Sequence, residues 1–289
     1  MTPCSTPSDL VERNSFVELE ARARVRALLD GGSFRELIDP FERVTSPWLP
    51  LQGVVTQSDD GVVVGKGKID GWSAVVLAIE GAFQGGSLGE VGGAKIAGSL
   101  ELAADDNRHG VPTRAVILFE TGGVRLQEAN LGLAAIAEIH SALADLRRYQ
   151  PVVGVIAGGV GCFGGMSIAA GLCSYLVVTR EARLGLNGPQ VIEQEAGIAE
   201  FDSRDRPFIW SFTGGEQRHR TGLVDAYVDD DTHQIRRTVI ELLARGRPAL
   251  ERSDQYKRYL ERLSTYDTRV QATPEIVRQI YARGGSDHE

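Results

Sequence analysis

Two strand-like runs each deliver a pair of glycines to the start of a helix-forming stretch: Gly122-Gly123 after residues 115–119, and Gly164-Gly165 after residues 152–157. Backbone N–H groups at a helix start have no intrahelical acceptor and lie at the positive end of the helix dipole. A Gly-Gly pair there can donate to an oxygen on which negative charge develops, and the missing Cβ lets a thioester approach the backbone. Spacing alone favours a plainer role for both pairs, as tight turns, so the residues by themselves offer two possible anion cradles and no nucleophile. Other words fit their chemistry less well. Residues 159–164 match GxGxxG, with Glu181 at a suitable distance, but a dinucleotide-binding domain puts that turn at its first strand, and here earlier strands precede it. Gly85-Gly86-Ser87-Leu88-Gly89 matches GxSxG. A nucleophile elbow is a sharp strand-to-helix turn; here five residues separate Glu80 from Gly86, and no Asp/His pair is placed to activate Ser87.

The remaining polar residues read as structural. His109, His140, His219, His233 and His288 show no metal-ligand spacing. Asp229-Asp230-Asp231 reads as a solvated turn capping the next helix. Arg125, Gln127 and Glu128 follow the first glycine turn and read as fixing a loop or interface, and Lys66, Lys95 and Arg114 as solvated surface cations.

The glycine turns need elements to hold them. Ser15 and Glu18 are spaced as a capping box before an amphipathic stretch, 19–29, that stops at Gly31-Gly32; a second short helix is predicted over 34–38. Runs 61–69 and 73–80 read as strands joined by Asp70-Gly71, a dipeptide suited to a type I′ turn. A strand, a glycine-rich turn and a helix then recur three times, with strands at 75–80, 115–119 and 152–157 and helices at 91–107, 125–148 and 166–172. Strands alternating with helices imply crossover connections and a buried sheet, an α/β fold. Further strands are expected at 175–178, 183–186 and 223–228, a helix at 233–245, and helical tracts at 251–263 and 274–283 in a polar, charged tail. The organisation predicted is an N-terminal helical region over 1–52, a main domain over 53–245 and a C-terminal helical arm over 246–289.

The 289 residues carry 31 Lys plus Arg against 39 Asp plus Glu, a net charge of −8 (31 − 39). No dense basic cluster is present, so no nucleic-acid partner is expected. Cys4, Cys162 and Cys173 contain no CxxC pair, and residues 1–5 lack a basic, apolar leader, so a reducing cytoplasm is expected. Residues 149–179 are uncharged but include seven glycines, which argues against a membrane span.

Three stretches carry a family resemblance: Glu80 through Gly89 (EGAFQGGSLG), Thr121 through Glu128 (TGGVRLQE) and Leu186 through Glu193 (LNGPQVIE). In order and spacing, over about residues 55 to 230, they resemble the carboxyltransferase branch of the crotonase-like superfamily, in particular the acetyl-coenzyme A carboxylase β subunits. The stretches Arg24 through Phe34 and Asp59 through Gly67 are similar to the β subunits of biotin-independent malonate decarboxylases. The zinc ribbon usual in the carboxylase subunits has no cysteines to build it here, and Gly161-Cys162-Phe163-Gly164-Gly165-Met166 stands where they have a threonine-flanked Gly-Gly-Val.

The resemblance implies a crotonase-like carboxyltransferase fold over 53–245 and the decarboxylation of malonyl-S-acyl carrier protein to acetyl-S-acyl carrier protein and CO2. It implies a γ subunit of related fold across the active site, an acyl carrier protein bearing a phosphoribosyl-dephospho-coenzyme A group, and a transferase subunit in a larger complex, with neither biotin nor metal. Gly122, Gly123, Gly164 and Gly165 are then expected as the catalytic backbone donors, and Gly85, Gly86, Arg125, Asn187 and Gly188 as substrate-binding residues. No residue of the sequence is singled out as the acid that protonates the enolate. Three other readings remain open: the carboxyltransferase half of a biotin-dependent acyl-coenzyme A carboxylase, a non-catalytic scaffold for the carrier protein, and a nicotinamide-dependent dehydrogenase.

Overall fold

The computed structural model describes residues 14–282; Cys4, His288, the start at residues 1–5 and the last residue of the tract predicted over 274–283 lie outside them. Among the described residues, seven strands form one sheet in sequence order. The hairpin is as the dipeptide predicts. Strands β2 (Val62–Ile69) and β3 (Trp72–Ile79) pair antiparallel with Ile69 opposite Trp72, and Asp70 and Gly71 between them take φ of 50° and 79°, as a type I′ turn requires.

The predicted helix over 34–38 is instead β1 (Arg35–Leu37), which adds to the edge of β2 with Arg35 opposite Lys66. A five-residue helix closes one intrahelical hydrogen bond, and the ladder offers this segment more. The first helix, α1 (Ala21–Leu28), starts later than the capping box suggests. Ser15 Oγ accepts from Glu18 N at 3.2 Å and donates to Asp230, while the N–H of Ala21 is accepted by the Glu80 carboxylate at 2.9 Å. Asp230 is accordingly not solvated: it is buried and accepts from Phe16 N and Val17 N. Asp231 does the capping, accepting from Gln234 N at 2.8 Å.

From β3 the sheet runs parallel through β4 (Arg114–Phe119), β5 (Val152–Ile156), β6 (Tyr175–Thr179) and β7 (Ala226–Val228). Residues alternate between two cores. Val75, Leu77, Ile117, Phe119, Ile156 and Val178 face helices α2 (Glu90–Arg108), α3 (Asn130–Leu146) and α4 (Gly165–Leu172). Val76, Val116, Leu118, Val153, Val155 and Val177 face α1 and α8 (Thr232–Ala244). With both faces covered, these strands are near-continuous apolar runs. The helix predicted over 125–148 is broken: a 3-10 turn, Leu126–Glu128, is followed by Ala129 at φ 45°, and α3 begins at Asn130.

Residues 183–186 form isolated bridges and no strand. Three short helices lie where none is predicted: α5 (Pro189–Ala196), α6 (Arg206–Thr213) and α7 (Gly215–Arg220). The tail forms α9 (Tyr256–Ser264) and α10 (Pro274–Ala282). No helix among the described residues is long and apolar enough to cross a membrane.

Candidate functional site

The loops leaving the C-terminal ends of β3, β4, β5 and β6 form a second layer, joined by parallel bridges between Leu88 and Val124, Thr121 and Cys162, and Cys162 and Leu184. This is the end of a parallel sheet where ligands bind in open α/β folds. The bridges bring the two glycine pairs face to face. A Cβ on Gly123 would sit 3.1 Å from Gly164 Cα, and one on Gly164 would sit 3.2 Å from Gly123 Cα. Their φ values of 106° and 60° lie where side chains are strained, so glycine is needed at both for conformation and for space.

Most of the amides at this junction are already engaged. Gly122 N–H donates to Gly85 O at 2.9 Å, Gly164 N–H to Leu186 O at 2.7 Å, and Gly123 N–H to Thr121 Oγ1 at 3.0 Å. The N–H groups of Gly165 and Met166, the first two residues of α4, have no acceptor among the described residues. Two adjacent donors at a helix start can hold a negatively charged oxygen. His140, on α3, bonds through Nε2 to Gly165 O at 2.8 Å and steadies that turn, a tertiary contact that no sequence spacing announces.

The first glycine turn is held from beneath by Arg125. Its Nη1 donates to Asp60 Oδ1 at 2.7 Å and Glu128 Oε1 at 3.0 Å, its Nη2 donates to Ser87 O at 2.9 Å, and its guanidinium lies over the Phe83 ring. Asp60 and Glu128 in turn accept from Gly92 N and Glu90 N at the start of α2. Burial raises the pKa of Asp60 above the usual carboxylate range, against the pull of Arg125.

A family comparison fits this layered architecture: residues 14–279 match the carboxyl transferase domain. The chain belongs to the carboxyl transferase family. Its fold is the crotonase-like carboxyltransferase fold. The chain is 36% identical, over 96% of its length and 92% of the relative's, to the malonyl-S-ACP:biotin-protein carboxyltransferase of Malonomonas rubra. It is 31% identical over 188 residues to the acetyl-coenzyme A carboxylase carboxyl transferase subunit beta of Endomicrobium trichonymphae, covering 61% of this chain and 64% of that one. It superposes with a TM-score of 0.93 and 68% identity on a chain from the crystal structure of a Pseudomonas malonate decarboxylase hetero-tetramer in complex with malonate, covering 96% of this chain and all of that one.

Within this carboxyl transferase the expected site residues divide. Gly122, Gly123, Gly164 and Gly165 meet at the junction, and Gly85 supports it through its carbonyl. Gly86 packs on the same turn, where a Cβ would overlap Glu120 O. Arg125, expected to bind substrate, is 0% exposed, and its guanidinium is enclosed by carboxylates and carbonyls of its own chain. Asn187 and Gly188 lead into α5, Asn187 exposed and Gly188 with open space beside it. Lys95, read as a surface cation, is buried with Nζ donating to the carbonyls of Ile38, Asp59 and Val62, and burial lowers its pKa. Lys66 pairs with Asp106 at 3.2 Å, and Arg114 lies over Trp72. Ser87 gives Arg125 its carbonyl, in a loop rather than an elbow. Among the described residues no group of three or more His, Cys, Asp or Glu could hold a metal.

Proposed function

We propose that the chain is the β subunit of a biotin-independent malonate decarboxylase, acting in the cytoplasm. With a γ subunit of related fold it removes CO2 from a malonyl thioester on an acyl carrier protein, and a transferase subunit of the larger complex loads that carrier. The carrier's thiol belongs to a phosphoribosyl-dephospho-coenzyme A group. One observation carries the reading: the junction of two glycine turns leaves a pair of helix-start amides, Gly165 and Met166, without acceptors among the described residues. The 68% identity to a chain of a malonate decarboxylase supplies the substrate class.

The chemistry follows from where charge moves. When the C–C bond to the carboxylate breaks, its electron pair becomes an enolate with charge on the thioester oxygen, and a proton then adds to the carbon to give the acetyl thioester. Fixed donors aimed at that oxygen lower the barrier because they bind it more strongly in the transition state than in the ground state. Gly165 N–H and Met166 N–H are the donors proposed here. Gly122, Gly123 and Gly164, with Gly85 and Gly86, hold the turns in contact, while Asn187 and Gly188 form a lip for the substrate.

The Malonomonas relative, named as a malonyl-S-ACP:biotin-protein carboxyltransferase, favours a second reading in which the carboxyl group leaves the malonyl thioester for biotin on a carrier protein, giving carboxybiotin and the acetyl thioester. CO2 release from a malonyl thioester, measured on the chain co-expressed with its γ subunit in the presence of avidin, separates the two. Release that persists under avidin is expected; release that requires an added biotinylated protein would establish the carboxyltransferase instead.

A further inference from the structure

The glycine turns follow the C-terminal ends of the parallel strands. At the other end of the sheet, where β6 begins, lies a cavity of about 470 Å³ between the core and the tail. Its walls come from three places: Ser174 and Tyr175 at the start of β6, Arg220 at the end of α7, and Arg252, Arg258 and Arg262 of the tail.

Four arginines thus line this cavity, with Asp225 as the one carboxylate in its walls. Asp225 is already engaged, accepting from Arg252 Nη2 at 2.6 Å and from Leu176 N at 2.7 Å. Arg252 also donates through Nη1 to Cys173 O at 2.9 Å. Arg220 pairs at 2.5 Å with Glu216, which does not line the cavity, and Arg258 donates to Gln255 Oε1 at 3.4 Å. Arg262 is left over: its guanidinium makes no hydrogen bond or ion pair with a described residue, and its Nε is buried. Glu251 lies outside the walls, holds Ser174 Oγ at 3.1 Å and faces Arg147. Counting Asp225 and Glu216 against the four arginines leaves 4 − 2 = 2 positive charges. Tyr259 and Tyr281, with ring centroids 6.4 Å apart, add hydroxyl donors to the same walls.

Guanidinium forks match the oxygens of carboxylates and phosphates, and such charge-assisted bonds are strong where water is partly excluded. The volume falls in the range of small-molecule sites, about 300–1,000 Å³, and the double positive excess calls for a ligand with at least two negative charges. A ligand here would touch elements that the chain otherwise joins by few bonds. Gln217 of α7 donates to Pro274 O at 3.0 Å and accepts from Arg278 at 2.6 Å, while Arg218, two residues before Arg220, donates to Leu184 O at 2.8 Å. Leu184 in turn bridges Cys162, in the loop of the second glycine turn.

We propose that this cavity is a second binding site, for a small organic polyanion carrying carboxylate or phosphate groups. Arg262 and Arg220 hold the anion from opposite sides, and the bound ligand clasps the tail to the core. The site is separate from the glycine junction, and the proposal stands whether or not that junction holds an enolate.

The test is calorimetric titration of the chain in complex with its γ subunit, at fixed ionic strength, with citrate, inorganic phosphate and acetate. Citrate or phosphate should bind and acetate should not; the tighter of the two identifies the anion as carboxylate or phosphate. In Arg220→Gln/Arg262→Gln, and in Arg262→Gln alone should the double variant fail to fold by circular dichroism, affinity should weaken by about tenfold or more, the loss of one charge-assisted contact or more. Hydrogen exchange of the α9 amides should slow on adding the anion to the parent and not to the variant. Three results would each overturn the proposal: no binding beyond that of acetate, equal affinity in parent and variant, which would put the anion elsewhere on the complex, or binding that leaves exchange in α9 unchanged.

Discussion

At the scale of single residues, the glycine turns are held by a buried cluster of charges. Arg125 shares its charge with Asp60 and Glu128 where none of the three side chains is exposed, and Gly89 approaches Glu128 so closely that a Cβ there would overlap the carboxylate. Removing one member of such a cluster leaves the others buried and uncompensated. Arg125→Met should therefore destabilise the protein by about 3–5 kcal/mol, read as a lower denaturant midpoint, and the triple variant that also carries Asp60→Asn and Glu128→Gln should recover part of it. A single variant as stable as the parent would mean that the cluster does not hold the loop. The sequence placed Arg125 beside the right turn through its motif, but its partner Asp60 lies 65 positions away, and only folding reveals that the pair is internal.

Among the elements, those whose information is local were legible. Asp70-Gly71 declared its hairpin, and the alternating strand–turn–helix units declared a parallel sheet. What was not legible depends on distant chain. β1 exists because an edge of β2 is available to it, and α7 is pinned by Gly215 N–H to Ala182 O and Arg218 Nε to Leu184 O. The contact between the glycine pairs belongs to the same class: each pair is readable alone, whereas the bridge from Thr121 to Cys162 that joins them is not. The local part can be tested by itself. Gly71→Val places a β-branched side chain at φ 79° and should cost about 1–2 kcal/mol, seen as a lower Tm with turnover preserved below it; an unchanged Tm would mean that the turn is not type I′ in solution.

On the scale of the whole molecule, the sheet presents the glycine turns at one end, beside exposed apolar side chains. Leu126, Leu133 and Ile168, on the elements bordering the glycine turns, are exposed, in keeping with a chain that resembles one component of a hetero-tetramer. The central claim is that helix-start amides in this chain stabilise the enolate directly. Gly165 allows that claim to be tested at one atom, because it is the first residue of α4, a position where proline keeps the helix and removes only the N–H. Gly165→Ala is the matching control: it adds a Cβ against Ile136 and keeps the donor. In the assembled complex, with avidin present, CO2 release by Gly165→Pro should fall about 10²- to 10³-fold below that of Gly165→Ala; equal rates in the two variants would contradict the account.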